Sequence, residues 1–287
     1  MQTQATSIQG FRLSPQQKQL WLQQAGGDAR AYFAIASVRA KGTLDVQKLK
    51  VSLQQLVERH EILRTTFQAL PGMEIPLQVV QEMDASEANA VDLKTIDLSH
   101  LSEAEQQGAI VSKLQALQAS PLQLDRLPVI DFIAIQCSDN RQQWLIRLPA
   151  VCGDRLSLEI LVRELGQLYN ASPDGDVFAE EAFQYIDFSE WQHELFEGED
   201  AAAGRRFWQQ QDRSSLGVRP AVIRIPNPHQ SLQICQLELD LAPEAIAGLQ
   251  TLARAMDTSV SDVVLALWQM LFWRLTGEAT AIGVSYD

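Results

Sequence analysis

The sequence has little cysteine, little basic charge and no long apolar run, and each shortage excludes a class of protein. Its three cysteines are widely spaced, fit no zinc-binding spacing and indicate reduced thiols in a cytosolic protein. Aspartate and glutamate outnumber lysine and arginine by 36 to 23, a balance that repels phosphate backbones and argues against nucleic acid as a partner. A signal peptide and a membrane-spanning stretch are also lacking, so we expect a cytoplasmic protein without a membrane partner.

What the sequence does contain is enough apolar material for a sizeable core. The 287 residues are 46% hydrophobic, which suits two globular halves. Strand-like and helix-like patterns alternate along the chain and predict a mixed α/β (α+β) fold. Strands are predicted at 32–40, 77–80, 91–96, 129–135, 144–148, 232–239 and 281–284.

Capping residues mark where the predicted helices begin. The segment 14–17, Ser-Pro-Gln-Gln, combines a serine cap, a proline in the first turn and a glutamine that closes a capping box. Ser102 and Glu105 form a second box of this kind. Further helices are predicted from Asp45, at 156–169, 183–196 and 201–211, from Pro243, and after a cap at Thr258 or Ser259.

The domain boundaries are predicted from composition and from the spacing of these elements. Residues 1–11 are predicted to be a disordered lead-in, 12–170 a first lobe, 171–176 a linker, and 177–287 a second lobe. The chain stops in an apolar, strand-like run, and a strand needs a neighbour on at least one edge. We therefore expect the second lobe to be incomplete.

Five segments in order resemble the condensation domain family of nonribosomal peptide synthetases. The segment 59–67 reads Arg-His-Glu-Ile-Leu-Arg-Thr-Thr-Phe, close to the family's second motif, Arg-His-x-x-Leu-Arg-Thr-x-Phe. The opening motif of the family resembles segment 13–21, and its Tyr-x-Asp segment resembles 185–192. An aromatic-Trp pair matches 207–208, and the strand before a Gly-x-Pro region resembles 274–283. Each match is modest alone, but five in register make the resemblance specific.

The resemblance implies a chloramphenicol-acetyltransferase-like fold of two lobes around a central tunnel, with the second lobe incomplete here. It implies as partners the adjacent synthetase domains, such as an adenylation domain, and the peptidyl or acyl carrier proteins that reach the tunnel from two sides. It implies no cofactor of the domain itself, because the phosphopantetheine arm belongs to the carrier proteins.

The segment in register with the family's active-site motif departs from it. The motif is His-His-x-x-x-Asp-Gly, and its second histidine is the base or positioning residue for the attacking amine. Both histidines and the glycine are absent here, and the loss of a general base typically lowers a rate by about 10²–10⁴. The resemblance therefore implies no catalysis by the histidine mechanism. The residues in register are Pro149, Ala150, Val151, Cys152, Gly153, Asp154 and Arg155.

Two residues of this segment are candidate substitutes for the histidines. Cys152 is either a thiol activated by Arg155 or a buried core cysteine, and we favour the core cysteine. Asp154 is either a base or, as the resemblance implies, a structural residue paired with an arginine. We favour the ion pair; its partner is open, and Arg64 and Arg155 are the first candidates. The Asp-x-x-x-x-Asp motif of the heterocyclising relatives is absent, because Pro149 stands at its first aspartate.

The second motif and the histidines have structural interpretations. Arg59, His60 and Arg64 belong to the second motif, for which the resemblance implies a role in packing and loop geometry. The other histidines have no cysteine or carboxylate at ligand spacing, so no metal site is predicted. They are His100, His193 and His229.

Three functions remain open. The first is a degenerate condensation-like domain of a peptide or hybrid peptide–polyketide synthetase, acting as a scaffold or docking platform for adjacent domains or carrier proteins. The second is an active condensation or acyltransferase domain that joins carrier-bound thioesters to an amine or hydroxyl by positioning, aided by Asp154 or Cys152. The third is a stand-alone acyltransferase of the same fold, against which the motifs around Arg59 and Tyr185 argue.

Overall fold

The structure is a computed structural model, and it groups the chain into two compact units, residues 1–198 and 199–287. Except for Ala171, the predicted linker at 171–176 lies outside the described residues, so the division into lobes there stays a prediction. The structure describes residues 9–25, 32–82, 91–121, 123–127, 129–171, 177–178, 180–199, 201–211, 239–277 and 282.

Helices and strands alternate as their sequence patterns predict, with bounds that differ by a few residues. A short 3-10 helix, Glu61–Arg64, joins the second helix to the second strand. The helices are α1 (Pro15–Ala25), α2 (Val46–Arg59), α3 (Glu103–Ala119), α4 (Arg155–Asn170), α5 (Tyr185–Glu197), α6 (Ala201–Gln210), α7 (Pro243–Ala255) and α8 (Val260–Thr276). The strands are β1 (Phe33–Lys41), β2 (Thr65–Gln68), β3 (Leu77–Val80), β4 (Asp92–Asp97), β5 (Asp131–Ser138) and β6 (Arg141–Pro149).

Four strands form one mixed sheet in the order β1-β6-β5-β4. β6 pairs antiparallel with β1 and β5, whereas β5 pairs parallel with β4. The central strands β5 and β6 are buried on both faces of the sheet. This explains why their apolar residues are consecutive and do not alternate with polar ones. β2 and β3 form a separate pair, which Phe11 extends through a bridge to Gln78. Phe11 belongs to the predicted lead-in at 1–11, whose structure is described only from residue 9 onward.

Helices cover both faces of this sheet. α2 and α4 pack together over one face, and their leucines lie at helical spacing. This main core includes Leu53, Leu56, Leu161, Leu165, Trp144 and Leu148. α3 covers the other face, where Ile110 and Leu117 share a smaller cluster with Leu145. Sheet residues next to each other in sequence therefore face different helices.

A buried arginine fixes the end of α3 on the sheet. Arg147 is 3% exposed, and its Nε donates to Asp131 Oδ2 at 2.7 Å. Its Nη1 donates to the carbonyl of Leu117 and, at 2.7 Å, to that of Ser120. The last carbonyls of a helix lack partners within it, so the cation satisfies them and complements the helix dipole.

The capping signals mark the helix starts correctly. In the first capping box, Ser14 Oγ accepts a hydrogen bond from the Gln17 amide at 3.1 Å, and Gln17 Oε1 accepts one from the Ser14 amide at 3.0 Å. The caps of three other helices are Asp45 for α2, Ser102 for α3 and Ser259 for α8. Of the two alternatives for α8, Ser259 is the cap.

The second unit contains α6 and a pair of helices, α7 and α8, that contact each other. Gly277 follows α8 with a φ of 74°, a left-handed conformation that suits glycine at a helix end. The strands predicted at 232–239 and 281–284 lie almost wholly outside the described residues. Within the part of the chain that the structure describes, no helix is both long enough and apolar enough to cross a bilayer.

Shortening Leu53 tests the core between α2 and α4. Leu53 is 1% exposed, whereas Val51 on the same helix is 50% exposed. We expect Leu53→Ala to lower the free energy of unfolding by about 2–5 kcal/mol, because it removes buried contacts and leaves a cavity. Val51→Ala is the matched control and is expected to change it by less than about 1 kcal/mol. Urea unfolding followed by circular dichroism measures both, and equal effects would contradict this core.

Candidate functional site

The candidate site is the turn between β6 and α4. Pro149 ends β6 and Asp154 is the N-cap of α4, so the segment has the strand–turn–helix setting that its sequence predicts. The turn closes on the Pro149 carbonyl, which accepts hydrogen bonds from the amides of Cys152 at 2.8 Å and Gly153 at 3.2 Å. Its backbone therefore has a defined shape without either histidine of the family's motif.

Groups outside the turn hold it in place. The Ala150 amide donates to the Tyr32 carbonyl at 3.0 Å, which continues the pairing of β6 with β1. Gln17 Nε2 donates to the Val151 carbonyl and to Gln78 Oε1, both at 2.9 Å. Gln17 is 1% exposed and Gln78 is fully buried. Buried amides need hydrogen-bond partners, so these two glutamines and the turn constrain one another.

Sequence reasoning missed this glutamine pair. The sequence pattern predicts only a capping role for Gln17 and no role for Gln78. The available signal was a glutamine within the apolar strand Leu77–Val80, where an uncharged polar side chain needs a buried partner. The tertiary fold determines that the partner of Gln78 is Gln17, and the residues next to Gln78 in sequence do not predict it.

The space beside Gly153 is too small for a side chain. A Cβ there would lie 2.7 Å from Leu148 Cδ2 and 2.8 Å from Ser157 Cβ, well inside van der Waals contact. Arg155 replaces the family's glycine at the start of α4, where its backbone is helical. Its side chain is 89% exposed and pairs with Glu159 at 3.3 Å. The tight position of this turn is thus Gly153, and Arg155 fits without strain.

Asp154 caps α4, and in the part of the chain that the structure describes it forms no ion pair with either candidate arginine, Arg64 or Arg155. Asp154 Oδ1 accepts hydrogen bonds from the amide and the hydroxyl of Ser157, both at 2.8 Å. Arg64 pairs with Glu61 at 3.2 Å, and the exposed Arg155 has its own partner on α4. The hydrogen bond from the Ser157 amide lowers the pKa of the Asp154 carboxyl. The carboxylate therefore stays ionised and is a weak base.

Cys152 lies in the main core. It is 7% exposed and belongs to the cluster that contains Leu148 and Leu158. Burial raises the pKa of the Cys152 thiol, which keeps it protonated and unreactive. The side chain of Arg155 is exposed to solvent and cannot offset this burial. These contacts favour the core cysteine over the activated thiol.

The segment at 185–192 packs against the opening motif. Ser14 Oγ and Tyr185 Oη lie 2.8 Å apart, and the Nε2 of His193 lies 2.8 Å from the Leu13 carbonyl. Burial raises the pKa of Tyr185, so its hydroxyl remains protonated. α5 thereby positions the residues that cap α1, and through them Gln17.

The second motif joins α2 to α4 and to the segment before α5. Glu164 of α4 lies 2.6 Å from His60 Nε2 and 3.3 Å from Arg59 Nε. Arg59 also donates from Nη1 to the Glu180 carbonyl at 2.8 Å, and its guanidinium carbon lies 4.0 Å from the centre of the Phe178 ring. These side chains hold the framework together.

An acidic groove of about 810 Å³ lies beside the second motif, and residues 149–155 do not line it. Its carboxylates are those of Glu58, Glu61, Glu180, Glu181 and Asp187. Among the residues that the structure describes, no three histidine, cysteine, aspartate or glutamate side chains are placed to hold a metal ion.

The turn offers little acid–base chemistry. A general base needs a lone pair with a pKa near the working pH, within hydrogen-bond reach of the proton. Ala150 and Pro149 have no titratable side chain, Cys152 is a buried thiol and Asp154 is an ionised cap. None of the residues 149–155 meets the requirement.

Comparison with known proteins identifies the family. The family profile described as "Condensation domain" matches residues 8–286. The chain belongs to the condensation domain family. The resemblance to nonribosomal peptide synthetases is thereby confirmed.

The chain is 30% identical over 274 residues to a linear gramicidin synthase protein of Brevibacillus parabrevis, a match covering 93% of the chain and 3% of that protein. It is 26% identical over 274 residues to surfactin synthase subunit 1 of Bacillus subtilis (strain 168), covering 92% of the chain and 7% of that protein.

Solved condensation domains share the fold. The first condensation domain of the calcium-dependent antibiotic synthetase matches with a TM-score of 0.69 and 22% identity, over 95% of this chain and 63% of that one. SgcC5 from Streptomyces globisporus matches with a TM-score of 0.67 and 20% identity, over 93% of this chain and 60% of that one. The chloramphenicol-acetyltransferase-like fold of the family is therefore confirmed. The condensation domain described here spans less than two thirds of these structures, and a small part of its curated relatives.

Replacing Asp154 tests its role as a cap. We expect Asp154→Ala to lower the free energy of unfolding by about 0.5–2 kcal/mol at pH 7, because the Ser157 amide loses its acceptor. Asp154→Asn keeps an acceptor and is the matched control. Folding lowers the pKa of the Asp154 carboxyl below its ordinary value of 3.8. The ionised carboxylate therefore stabilises the fold at pH values above 3.8, and this contribution is lost as the pH falls through the lower pKa of the folded state. Urea unfolding at pH 7 and pH 3 measures both effects, and an alanine variant as stable as the natural chain would contradict the cap.

Thiol labelling tests the burial of Cys152. We expect iodoacetamide at pH 8 to modify Cys152 at least about ten times more slowly in the folded chain than in urea, because the protonated, buried thiol reacts only after local opening. Mass spectrometry of the peptide that contains Cys152 measures the rate, with the unfolded chain as the control. Equal rates in the two states would instead indicate an accessible, reactive thiol.

Proposed function

We propose that this condensation domain is a scaffold or docking platform within a nonribosomal peptide or hybrid peptide–polyketide synthetase, and that it does not catalyse condensation by the histidine mechanism. The observation that carries the proposal is the turn after β6, which has a fixed backbone but presents Pro149 and Ala150 where the family's motif has two histidines. Its partners in this role are adjacent domains, such as an adenylation domain, and carrier proteins. The phosphopantetheine arm is on those carriers, and the domain has no cofactor of its own.

The contacts around the turn support a role that needs the fold but no base. Gln17 holds the Val151 carbonyl, and Asp154 caps the helix that follows. Glu164 holds the second motif through His60. These contacts hold the turn and the second motif in place, and the residues of the turn itself supply no general base.

The alternative is an active domain that works by positioning its substrates. Orienting two reactants can contribute several kcal/mol to catalysis, so a missing base alone does not exclude it. Its two candidate helpers are unsuited to the role, because the Cys152 thiol is buried and the Asp154 carboxylate is held by Ser157. The docking role is therefore the one that the geometry favours.

Assaying amide formation beside a restored variant tests the proposal. The natural chain and the variant Pro149→His/Ala150→His/Arg155→Gly would each receive a peptidyl carrier protein and an aminoacyl carrier protein, and product would be measured by mass spectrometry. We expect the natural chain to give only the uncatalysed rate and the variant to exceed it by about 10²–10⁴, the usual contribution of a general base.

Binding of the same carrier proteins, measured by calorimetry, is the second readout. Equal affinity for the natural chain and the restored variant is expected of a docking platform. Product from the natural chain above the uncatalysed rate would overturn the proposal, and so would an absence of carrier binding. A restored variant no faster than the natural chain would show that the histidines are not what the site lacks.

A further inference from the structure

The hydroxyl of Tyr185 lies close to the turn after β6 without belonging to it. α5 begins at Tyr185, and the phenol oxygen lies 2.8 Å from Ser14 Oγ. Ser14 connects to the turn through Gln17, whose amide donates to Ser14 Oγ and whose Nε2 donates to the Val151 carbonyl. Two residues thus separate the phenol from the backbone of the turn.

The electrostatics of Tyr185 also place it beside the turn. Burial is the main cause that raises the pKa of the Tyr185 phenol, and the hydrogen bond with Ser14 opposes this. The groups of Asp154 and Cys152 raise the pKa further. Such charges act over short distances in salt solution, so the phenol oxygen lies near both residues. At neutral pH the phenol keeps its proton and can donate a hydrogen bond.

The hydrogen bonds of Ser14 decide which of the two hydroxyls donates. Ser14 is fully buried, and its Oγ already accepts a hydrogen bond from the Gln17 amide at 3.1 Å. The hydroxyl hydrogen of Ser14 needs an acceptor of its own, because buried donors are almost always paired. In the described part of the chain, the acceptor that this hydroxyl contacts is Tyr185 Oη. Ser14 therefore donates to Tyr185.

The proton of the Tyr185 hydroxyl is consequently left for another group. An oxygen that accepts from Ser14 directs its own hydrogen elsewhere. Among the described residues, no second hydrogen bond reaches this hydroxyl, and the Tyr185 side chain is only half-buried. A donor that a buried serine holds in place costs little further ordering when it binds an acceptor atom.

The charges nearby decide which kind of acceptor suits this donor. The Asp154 carboxylate is ionised and the chain has a formal charge of −13, so a carboxylate or phosphate oxygen is repelled. Pro149 and Ala150 of the turn have side chains without charge or hydrogen-bonding groups. An uncharged carbonyl oxygen can accept from the phenol without this repulsion.

We propose that Tyr185 is a ligand-binding residue of this domain, and that its hydroxyl donates to the thioester carbonyl oxygen of an acyl group on a phosphopantetheine arm. The contact holds the acyl group beside Pro149 and Ala150 and transfers no proton. The inference rests on the proposed docking function, because carrier proteins bring such an arm to the turn. It adds to that function a preference for loaded arms over unloaded ones.

Soluble pantetheine derivatives test the contact without a carrier protein. The first probe is acetyl-pantetheine, whose thioester contains the carbonyl, and the second is S-ethyl-pantetheine, in which a methylene group replaces it. Tyr185→Phe removes the hydroxyl and keeps the ring. Tyr169→Phe is the matched control, because it removes a hydroxyl that accepts from the Asp45 amide at 3.0 Å near the other end of α4. Circular dichroism checks that both variants fold.

We expect Tyr185→Phe to weaken binding of acetyl-pantetheine about three- to tenfold, the usual contribution of one hydrogen bond. Binding of S-ethyl-pantetheine should stay within about twofold, because that probe lacks the acceptor. Tyr169→Phe should leave both affinities unchanged. Chemical shifts in NMR titrations measure the dissociation constants.

A second pair of variants separates the contact from a change in structure. Tyr185→Phe leaves the Ser14 hydroxyl without its acceptor, which can shift the residues around it. The comparison is therefore repeated between Ser14→Ala and Ser14→Ala/Tyr185→Phe, in which that hydroxyl is absent. The loss specific to acetyl-pantetheine should appear again between these two.

The inference is wrong if the natural chain shows no binding of acetyl-pantetheine, or if Tyr185→Phe binds it as tightly as the natural chain does. An equal loss for both probes would also overturn it, because the thioester carbonyl would then not be the acceptor. These readouts involve neither a carrier protein nor amide formation. Failure here is therefore distinct from failure of the docking function, which carrier binding and product formation test.

Discussion

The buried side chain of Gln17 is the interaction on which the candidate site depends. Its Nε2 reaches the Val151 carbonyl and Gln78, so α1, β3 and the turn after β6 share one set of polar contacts. A buried amide left without partners costs about 1–3 kcal/mol, which favours this arrangement over neighbouring ones. α5 adds a second constraint, because Tyr185 contacts the Ser14 hydroxyl that caps α1. The position of the turn is therefore decided mainly by residues distant from it in sequence.

Much of the fold could be predicted because its signals are local. A capping box such as Ser102 with Glu105 spans four residues, and the leucine spacing of α4 spans about three turns, so both can be read from short windows. The contacts that orient these elements are long-range. Gln17 and Val151 lie 134 positions apart, and no local pattern links them. The sequence thus indicated which elements form and where the turn lies, but not what holds it.

Asp154 shows how a family resemblance can displace a simpler local explanation. The resemblance suggested an arginine partner, and the sequence offered Arg64 and Arg155. The first amides of a helix lack partners within it, and an aspartate at the N-cap accepts from the amide three residues on. Ser157 occupies that position and donates to the carboxylate from both its amide and its hydroxyl. The local signal was present in the sequence, and only the folded geometry decided between the two explanations.

The attachment of Ala150 has a consequence for substitution at this position. Its amide is bound to the Tyr32 carbonyl, and the turn around it is fixed by Gln17, so its methyl group does not determine the backbone. Substitution at this position is accordingly expected to change folding little. The framework constrains the backbone at position 150 and leaves the choice of side chain open. The same separation makes position 150 a site where an engineer can install a new reactive group on an existing scaffold.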